Sequence, residues 1–446
     1  MARPGRNGLL VSVILAVTMA SGCTSSTTVR AESTTSTRAA TPTTTTPPRT
    51  TTSANSIPPT TTTTTIGVPL FDLSGNVITS QGLPLDDAVV SANGAMATTG
   101  PDGRFTLSQV SPGPITVTRP AWMTTTIEWE PDVPLVVALE PRVVRGIRVS
   151  DGAAANDAGF EALLDLADAT ALNTFIFDTK REDGAVTYDT AVQEAMDIGA
   201  VEAAYDPVAR LEAAKDRGLY TITRIVVFED PAAVRAHPEQ QLAWAWLDPI
   251  VRDTWAYPLA LAVEACALGF NEVQFDYVRF PSGRSANEAS RNRPTTQDER
   301  LEAIAAFLAE ARGRLHPMGC AVSADVFGIV MSAPNDQGIG QRPEEISAVV
   351  DALSPMVYPS HYGEGWLGFE DPNDHPAAVT AAALDAGLPR MAPTALLRPW
   401  LQAFFYRPDQ VRAEIMEAEK RGLGWMLWNI GSRYSPDAVP TESDLG

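Results

Sequence analysis

Residues 268–283 read LGFNEVQFDYVRFPSG, and the rest of the chain is arranged around them. Val273, Phe275, Tyr277 and Phe280 are β-formers, with Gly269 before them and Pro281-Ser282-Gly283 after. The pattern predicts a strand that follows a helix and stops abruptly. Asp276 and Arg279 fall in its second half. An unpaired carboxylate is costly to bury, so Asp276 on so apolar a strand needs a partner or a chemical task. One reading is a structural Asp276–Arg279 pair that pins the strand end. The other gains weight if further strands end in polar clusters.

They do. Strands are expected over 143–149, 174–179, 220–228, 272–280, 321–327, 352–358, 390–397 and 424–430. Helices fall between them, over 160–171, 206–217, 254–268, 297–315, 343–350, 376–386 and 408–421. Helices alternating with apolar strands argue a parallel sheet. Eight such units at this length fit an α/β (β/α)8 TIM barrel over 142–446. A doubly wound open sheet is the alternative, but no Gly-rich phosphate loop follows the first strand.

In such a barrel the chemistry sits at the C-terminal ends of the strands. Asp178 and Lys180 follow strand two, and Arg224 lies within strand three, with Glu229 and Asp230 at its end. Asp276 and Arg279 end strand four, and strand five carries Asp325. Strand six leads into Tyr358, His361 and Tyr362, strand seven into Arg398 and Trp400, and strand eight into Trp428 and Asn429. Each has a plainer alternative. Asp178 and Lys180 can pair with each other, Arg224 can pair with Asp276 or Asp178 instead of a substrate, and Glu229 or Asp230 can cap the next helix. Tyr358, Tyr362, Trp400 and Trp428 suit sugar platforms or core packing. His361 has no second His at ligand spacing, so no metal is expected.

Two carboxylates are the minimum for hydrolysing a glycosidic bond. Asp276 and Asp325 lie on neighbouring strands, and such strands run roughly 4.8 Å apart. That spacing suits the roughly 5–5.5 Å of a retaining mechanism rather than the roughly 6.5–9.5 Å of an inverting one. A cation beside Asp276 would favour its ionised form.

The chain has 446 residues and a net charge of -21, which argues against a nucleic-acid surface. Its first 23 residues carry Arg3 and Arg6, an apolar run over 9–19, and then Ala20-Ser21-Gly22-Cys23. This resembles a bacterial lipoprotein signal, with Cys23 as the lipidated residue. The -3 position is Ala20 rather than the usual Leu, and an ordinary secretory signal is the alternative. The expectation is an extracytoplasmic protein held to the membrane through Cys23, or secreted if that site is unused. Residues 24–65 form a Thr/Ser/Pro-rich tether. Residues 66–141 alternate short apolar runs with turn signals, as a small β-sandwich does. Within them TTGPDGRFTL (98–107) resembles the carboxypeptidase regulatory-like domain, which implies a spacer or binding module, with Asp102 in a turn. Cys266 and Cys320 lie in apolar surroundings and read as buried thiols rather than a bridge.

The blocks FDTKREDG (177–184), RIVVFEDP (224–231), GFNEVQFDYVRFP (269–281), SADVFG (323–328), SPMVYPSHYGEG (354–365), RPWLQAF (398–404) and GWMLWN (424–429) together resemble a bacterial glycoside hydrolase family known as a domain of unknown function. The resemblance implies a TIM barrel distantly related to the α-amylase type. In that wider group the strand-four Asp is the nucleophile and a strand-five acid the proton donor, which places those roles on Asp276 and Asp325. The amylase type has Glu on strand five and an Arg two residues before the nucleophile; here those positions hold Asp325 and Gln274. The expected function is hydrolysis of a polysaccharide or envelope glycan, with no cofactor required. A catalytically silent glycan-binding lipoprotein is the alternative, and glycosyl transfer a third possibility.

Overall fold

The computed structural model describes residues 69–131 and 133–445. The signal, the tether and Cys23 lie outside the described residues. Eight parallel strands close into a barrel: one (Arg145–Val149), two (Thr174–Lys180), three (Tyr220–Val226), four (Glu272–Asp276), five (Ala321–Phe327), six (Ala352–Val357), seven and eight (Trp425–Trp428). Strand five pairs with both four and six, and eight pairs with one, so no edge is left open. Strands two, three and four are buried along their whole length, which explains their near-continuous apolar sequence. Phe175, Phe177, Val273 and Phe275 pack in one large core, whereas Ile176, Ile222 and Met426 share a separate cluster.

The helix Gln297–Leu315 shows how the sequence fixes its elements. Thr296 and Glu299 form a capping box: Thr296 Oγ1 accepts from Glu299 N at 3.3 Å, and Glu299 Oε2 accepts from Thr296 N at 2.7 Å. Leu301, Ile304, Phe307, Leu308, Ala311 and Leu315 recur at helical spacing and are buried. The helix Ala256–Leu268 ends where Gly269 takes φ +107°, a left-handed conformation that suits glycine.

Strand seven departs from expectation. It begins at Leu396 rather than at 390, and consists of Leu396–Leu397 and Trp400–Gln402. A 3-10 turn over Leu388–Arg390 occupies the expected start. Pro393 and Pro399 lack the N–H that a central strand donates. The shift puts Arg398 between the two halves, where its guanidinium pairs with Glu272 at 2.7 and 2.9 Å. Glu272 is the first residue of strand four and also accepts from the Tyr220 hydroxyl. Arg398 therefore closes the N-terminal end of the barrel and is not a rim residue.

Residues before the barrel form two sheets over one apolar cluster that includes Leu73, Val77, Phe105 and Val117. Phe71–Thr79 pairs with Arg104–Val110 and Leu135–Leu139; Val89–Ala92 pairs with Ala95–Thr98 and Gly113–Thr118, and the latter with Thr125–Trp129. This module packs on the N-terminal end of the barrel. Ala321, the first residue of strand five, joins its cluster. Arg119 pairs with Asp351, just before strand six, at 3.4 Å and with Asp86 at 3.0 Å. His316 Nε2 lies 2.8 Å from Asp351 Oδ2.

Cys266 and Cys320 are not free thiols. They form a disulfide, with Cα atoms 6.0 Å apart. The helix Ala256–Leu268 packs against the helix Gln297–Leu315, which leads to Cys320, so two cysteines that each read as buried meet. Closing a separation of 54 residues stabilises the fold by about 4 kcal/mol on chain-entropy grounds. Among the described residues no helix is long and apolar enough to cross a membrane.

Candidate active site

Arg148, Asp178, Arg224, Asp276, Asp325, Tyr358, Trp400 and Trp428 lie at or near the C-terminal ends of the strands, one from each of the eight. Alternation along each strand, with period two, sets the direction of these side chains. Phe275 faces the helices, so Asp276 faces the interior. Pairing of Gln274 with Ser323 and of Phe275 with Ala324 brings Asp276 level with Asp325.

Arg224 is the centre of the cluster. Its Nε and Nη2 both donate to Asp276 Oδ2, at 2.9 and 2.6 Å, and its Nη1 donates to Asp178 Oδ1 at 3.1 Å. Arg148 pairs with the other oxygen of Asp178 and donates to the Ile430 carbonyl at 2.8 Å. The indole of Trp428 lies 4.4 Å from the Arg148 guanidinium carbon and 4.8 Å from that of Arg224. Asp276 Oδ1 accepts from the Tyr277 N–H at 2.6 Å. Tyr277 has φ +51°, an outlier for an aromatic residue, so the chain turns sharply at Asp276 and the strand ends there rather than at 280.

Asp325 is the odd carboxyl. Its Oδ1 accepts from Trp400 Nε1 at 2.9 Å, while its Oδ2 is buried with no hydrogen-bond partner. Burial, and then the charge of Asp276, push its pKa well above the usual carboxylate range; Arg224 and the Trp400 N–H oppose this. The two neighbouring carboxyls thus sit in different environments, one bridged by a guanidinium and the other buried without a cation in hydrogen-bond contact. A proton on Oδ2 lacks only an acceptor, and a substrate oxygen supplies one. The Tyr358 hydroxyl is also buried and unpartnered.

The structure separates the other expected residues. Asp178 and Lys180 do not pair. A register shift beside Thr179 turns Lys180 away, and its ammonium pairs with Asp230 at 2.8 Å. Asp230 also caps the following helix through Ala233 N. Arg279 does not pair with Asp276. Its guanidinium lies within 4.5–5.0 Å of the Phe327, Trp246 and Tyr277 rings. It donates to the Phe280 carbonyl. Trp400 is wholly buried and orients Asp325 rather than offering a platform. Asn429 shapes its own loop, donating to Ala403 O and accepting from the N–H groups of Gly431 and Arg433. His361 is exposed with its edge against Tyr358, and Tyr362 lies half-buried against Trp366.

Two contributors were not expected. Arg148 stands as a lone charge in the apolar run GIRV, which is the one signal the sequence offers for it. Glu182 approaches Arg224 at 3.8 Å. Glu229, expected at the end of strand three, is half-buried near Asp276, and burial raises its pKa to about 7. Among the described residues no three His, Cys, Asp or Glu side chains converge as metal ligands.

Residues 146–434 match the family described as "Putative glycosyl hydrolase domain". No functionally curated protein matches the chain. A hypothetical protein of solved structure from Ruminiclostridium thermocellum is 31% identical, over 40% of this chain and 97% of its own, with TM-score 0.35. The glycoside hydrolase domain of PelA from Pseudomonas aeruginosa is 15% identical, over 66% and 97%, with TM-score 0.39. Alpha-L-fucosidase isoenzyme 2 from Paenibacillus thiaminolyticus is 11% identical, over 68% and 48%, with TM-score 0.46.

A carboxyl whose pKa is higher in the folded than in the unfolded chain favours folding below the unfolded value, about 4. That contribution is lost as pH rises through the folded value. Asp325→Asn removes the penalty. Its thermal midpoint is expected to exceed wild type at pH 7, with the gap closing towards pH 4. A lower midpoint at pH 7 would show that Asp325 is ionised and satisfied in the fold. Asp276→Asn leaves Arg224 short of a partner and is expected to cost roughly 3–5 kcal/mol.

Proposed function

The chain belongs to this glycosyl hydrolase family, and we propose that it cleaves a polysaccharide by a retaining, two-carboxylate mechanism. Asp276 is the nucleophile and Asp325 the acid and then the base. The observation that carries this is the contrast between the two side chains. Asp276 is salt-bridged by Arg224, while Asp325 has no cation in hydrogen-bond contact and a raised pKa.

In the first step a carboxylate oxygen of Asp276 bonds to the anomeric carbon. The glycosidic C–O bond breaks, and the Asp325 proton passes to the leaving oxygen. In the second step the Asp325 carboxylate takes a proton from water, whose oxygen attacks the anomeric carbon and releases Asp276. Arg224 replaces the Arg that the amylase type carries two residues before its nucleophile. Gln274, at that position, instead donates to Ser354 Oγ at 3.2 Å. Trp400 is a positioning residue that aims Asp325. The Tyr358 hydroxyl is available to a sugar hydroxyl.

Reducing-end release from a panel of soluble and cell-envelope polysaccharides tests this reading. Wild type is expected to cleave at least one of them. Asp276→Asn should lose turnover, and Asp325→Asn should fall about 10²–10⁴-fold. Trp400→Phe removes a bond that favours the charged form of Asp325, so the basic limb of its pH–rate profile is expected to move to higher pH. Undiminished activity in Asp276→Asn would exclude that nucleophile. Binding without cleavage by wild type would point to a silent glycan-binding protein.

We also propose that the enzyme works outside the cytoplasm, held to a membrane through lipidated Cys23. The Cys266–Cys320 disulfide supports an oxidising compartment. Cys23→Ser is expected to leave the membrane fraction; an unchanged distribution would contradict the anchor.

A further inference from the structure

Among the described residues, only two aromatic side chains are exposed: Trp244 at 69% and Phe405 at 91%. Trp244 sits at the tip of the hairpin formed by Gln241–Ala243 and Trp246–Leu247, in the loop after strand three. Phe405 sits in the loop after strand seven. Both have positive φ, +24° and +61°. That conformation costs a bulky residue of order 1–3 kcal/mol, and an exposed ring returns little packing. Neither position is explained by stability of the fold.

Their placement is not scattered. The non-glycine residues of the barrel with positive φ are Trp244, Tyr277, Gln337, Leu367, Phe405 and Ser432. They lie on the loops after strands three to eight, all at the end that carries the two catalytic carboxyls. Strands three and seven stand four apart around a closed ring of eight, so the loops that carry Trp244 and Phe405 rise from opposite sides of the mouth. Aromatic rings lead inward from both sides. Phe405 meets Phe404 edge-on at 5.4 Å, and Phe404 meets Tyr358 at 5.4 Å. Trp246, beside Trp244, lies 5.9 Å from Tyr277, which follows Asp276.

We propose that Trp244 and Phe405 are the outer platforms of a cleft crossing the barrel mouth over Asp276 and Asp325, and that its ligand is a long glycan of uncharged or amino sugars, cut internally. The proposal rests on the glycosidase reading for the cutting and on the two platforms for the binding. Platforms on opposite sides of the mouth hold sugars on both sides of the scissile bond. Acidic sugars are disfavoured by charge. Arg148 and Arg224 are already engaged by Asp178 and Asp276, Arg279 is buried among rings, and the chain carries a net charge of -21.

Native affinity electrophoresis of the full chain tests the cleft without needing turnover. The gels contain hydroxyethyl cellulose, glycol chitin, xylan, galactomannan or pullulan, with polygalacturonate as the anionic comparison. Wild type is expected to be retarded by at least one neutral polymer and not by polygalacturonate. Trp244→Ala and Phe405→Ala should each weaken that retardation about three- to tenfold. Their effects should multiply in the double variant, because the sites are far apart. Met318→Ala, an exposed apolar residue between the helix Gln297–Leu315 and strand five, should change nothing. Thermal midpoints of the two platform variants should not fall, since neither ring supports the core. Retardation that is equal in wild type and double variant, absent from every neutral gel, or confined to polygalacturonate overturns the proposal. Platform-dependent retardation with no cleavage of the bound polymer upholds the cleft and sinks the glycosidase reading alone.

Discussion

The buried guanidinium of Arg224 is the constraint on which the site depends. A charge this deep is tolerated only with partners in good geometry, and Arg224 has two, Asp276 on strand four and Asp178 on strand two. Those contacts fix the spacing of three neighbouring strands at the rim. They also leave the cluster one carboxyl over. Arg148 and Arg224 balance Asp178 and Asp276, and Asp325 is then favoured to hold its proton. The roles proposed for Asp276 and Asp325 therefore rest on the count of buried charges, not on any difference between two aspartates as residues.

The two ends of the barrel divide the work. At the N-terminal end the Glu272–Arg398 pair, the Tyr220 hydroxyl and the docked β-sheet module close the barrel. At the C-terminal end the loops carry left-handed residues, exposed rings and unpartnered polar atoms on Asp325 and Tyr358. In the barrel, backbone strain at non-glycine residues gathers at the end that carries Asp276 and Asp325.

Much of this was legible in the sequence. Strands flanked by breakers and helices with apolar stripes are local patterns, and helix Gln297–Leu315 and strand five fall where those patterns put them. What was not legible was set by contacts distant in sequence or by single backbone irregularities. Lys180 turns away from Asp178 because of a register shift that no residue type announces. Arg398 moved from rim to base because prolines delayed strand seven. Cys266 and Cys320 each read as buried, and only the packing of two helices shows that they meet. Arg148 gives little signal because the short strand RGIRV has no motif that separates it from Arg145. The exposure of Trp244 and Phe405 is likewise a property of loop geometry, not of composition.

The most direct test of the central claim is the anomeric configuration of the first-formed product, followed by ¹H NMR during cleavage of a polysaccharide that the enzyme hydrolyses. Asp276 and Asp325 on adjacent strands at matched height predict retention, because neighbouring strands run roughly 4.8 Å apart, a spacing that suits direct attack on the sugar. An inverted first product would mean that a water molecule, not Asp276, attacks the anomeric carbon, and would contradict the assignment of roles.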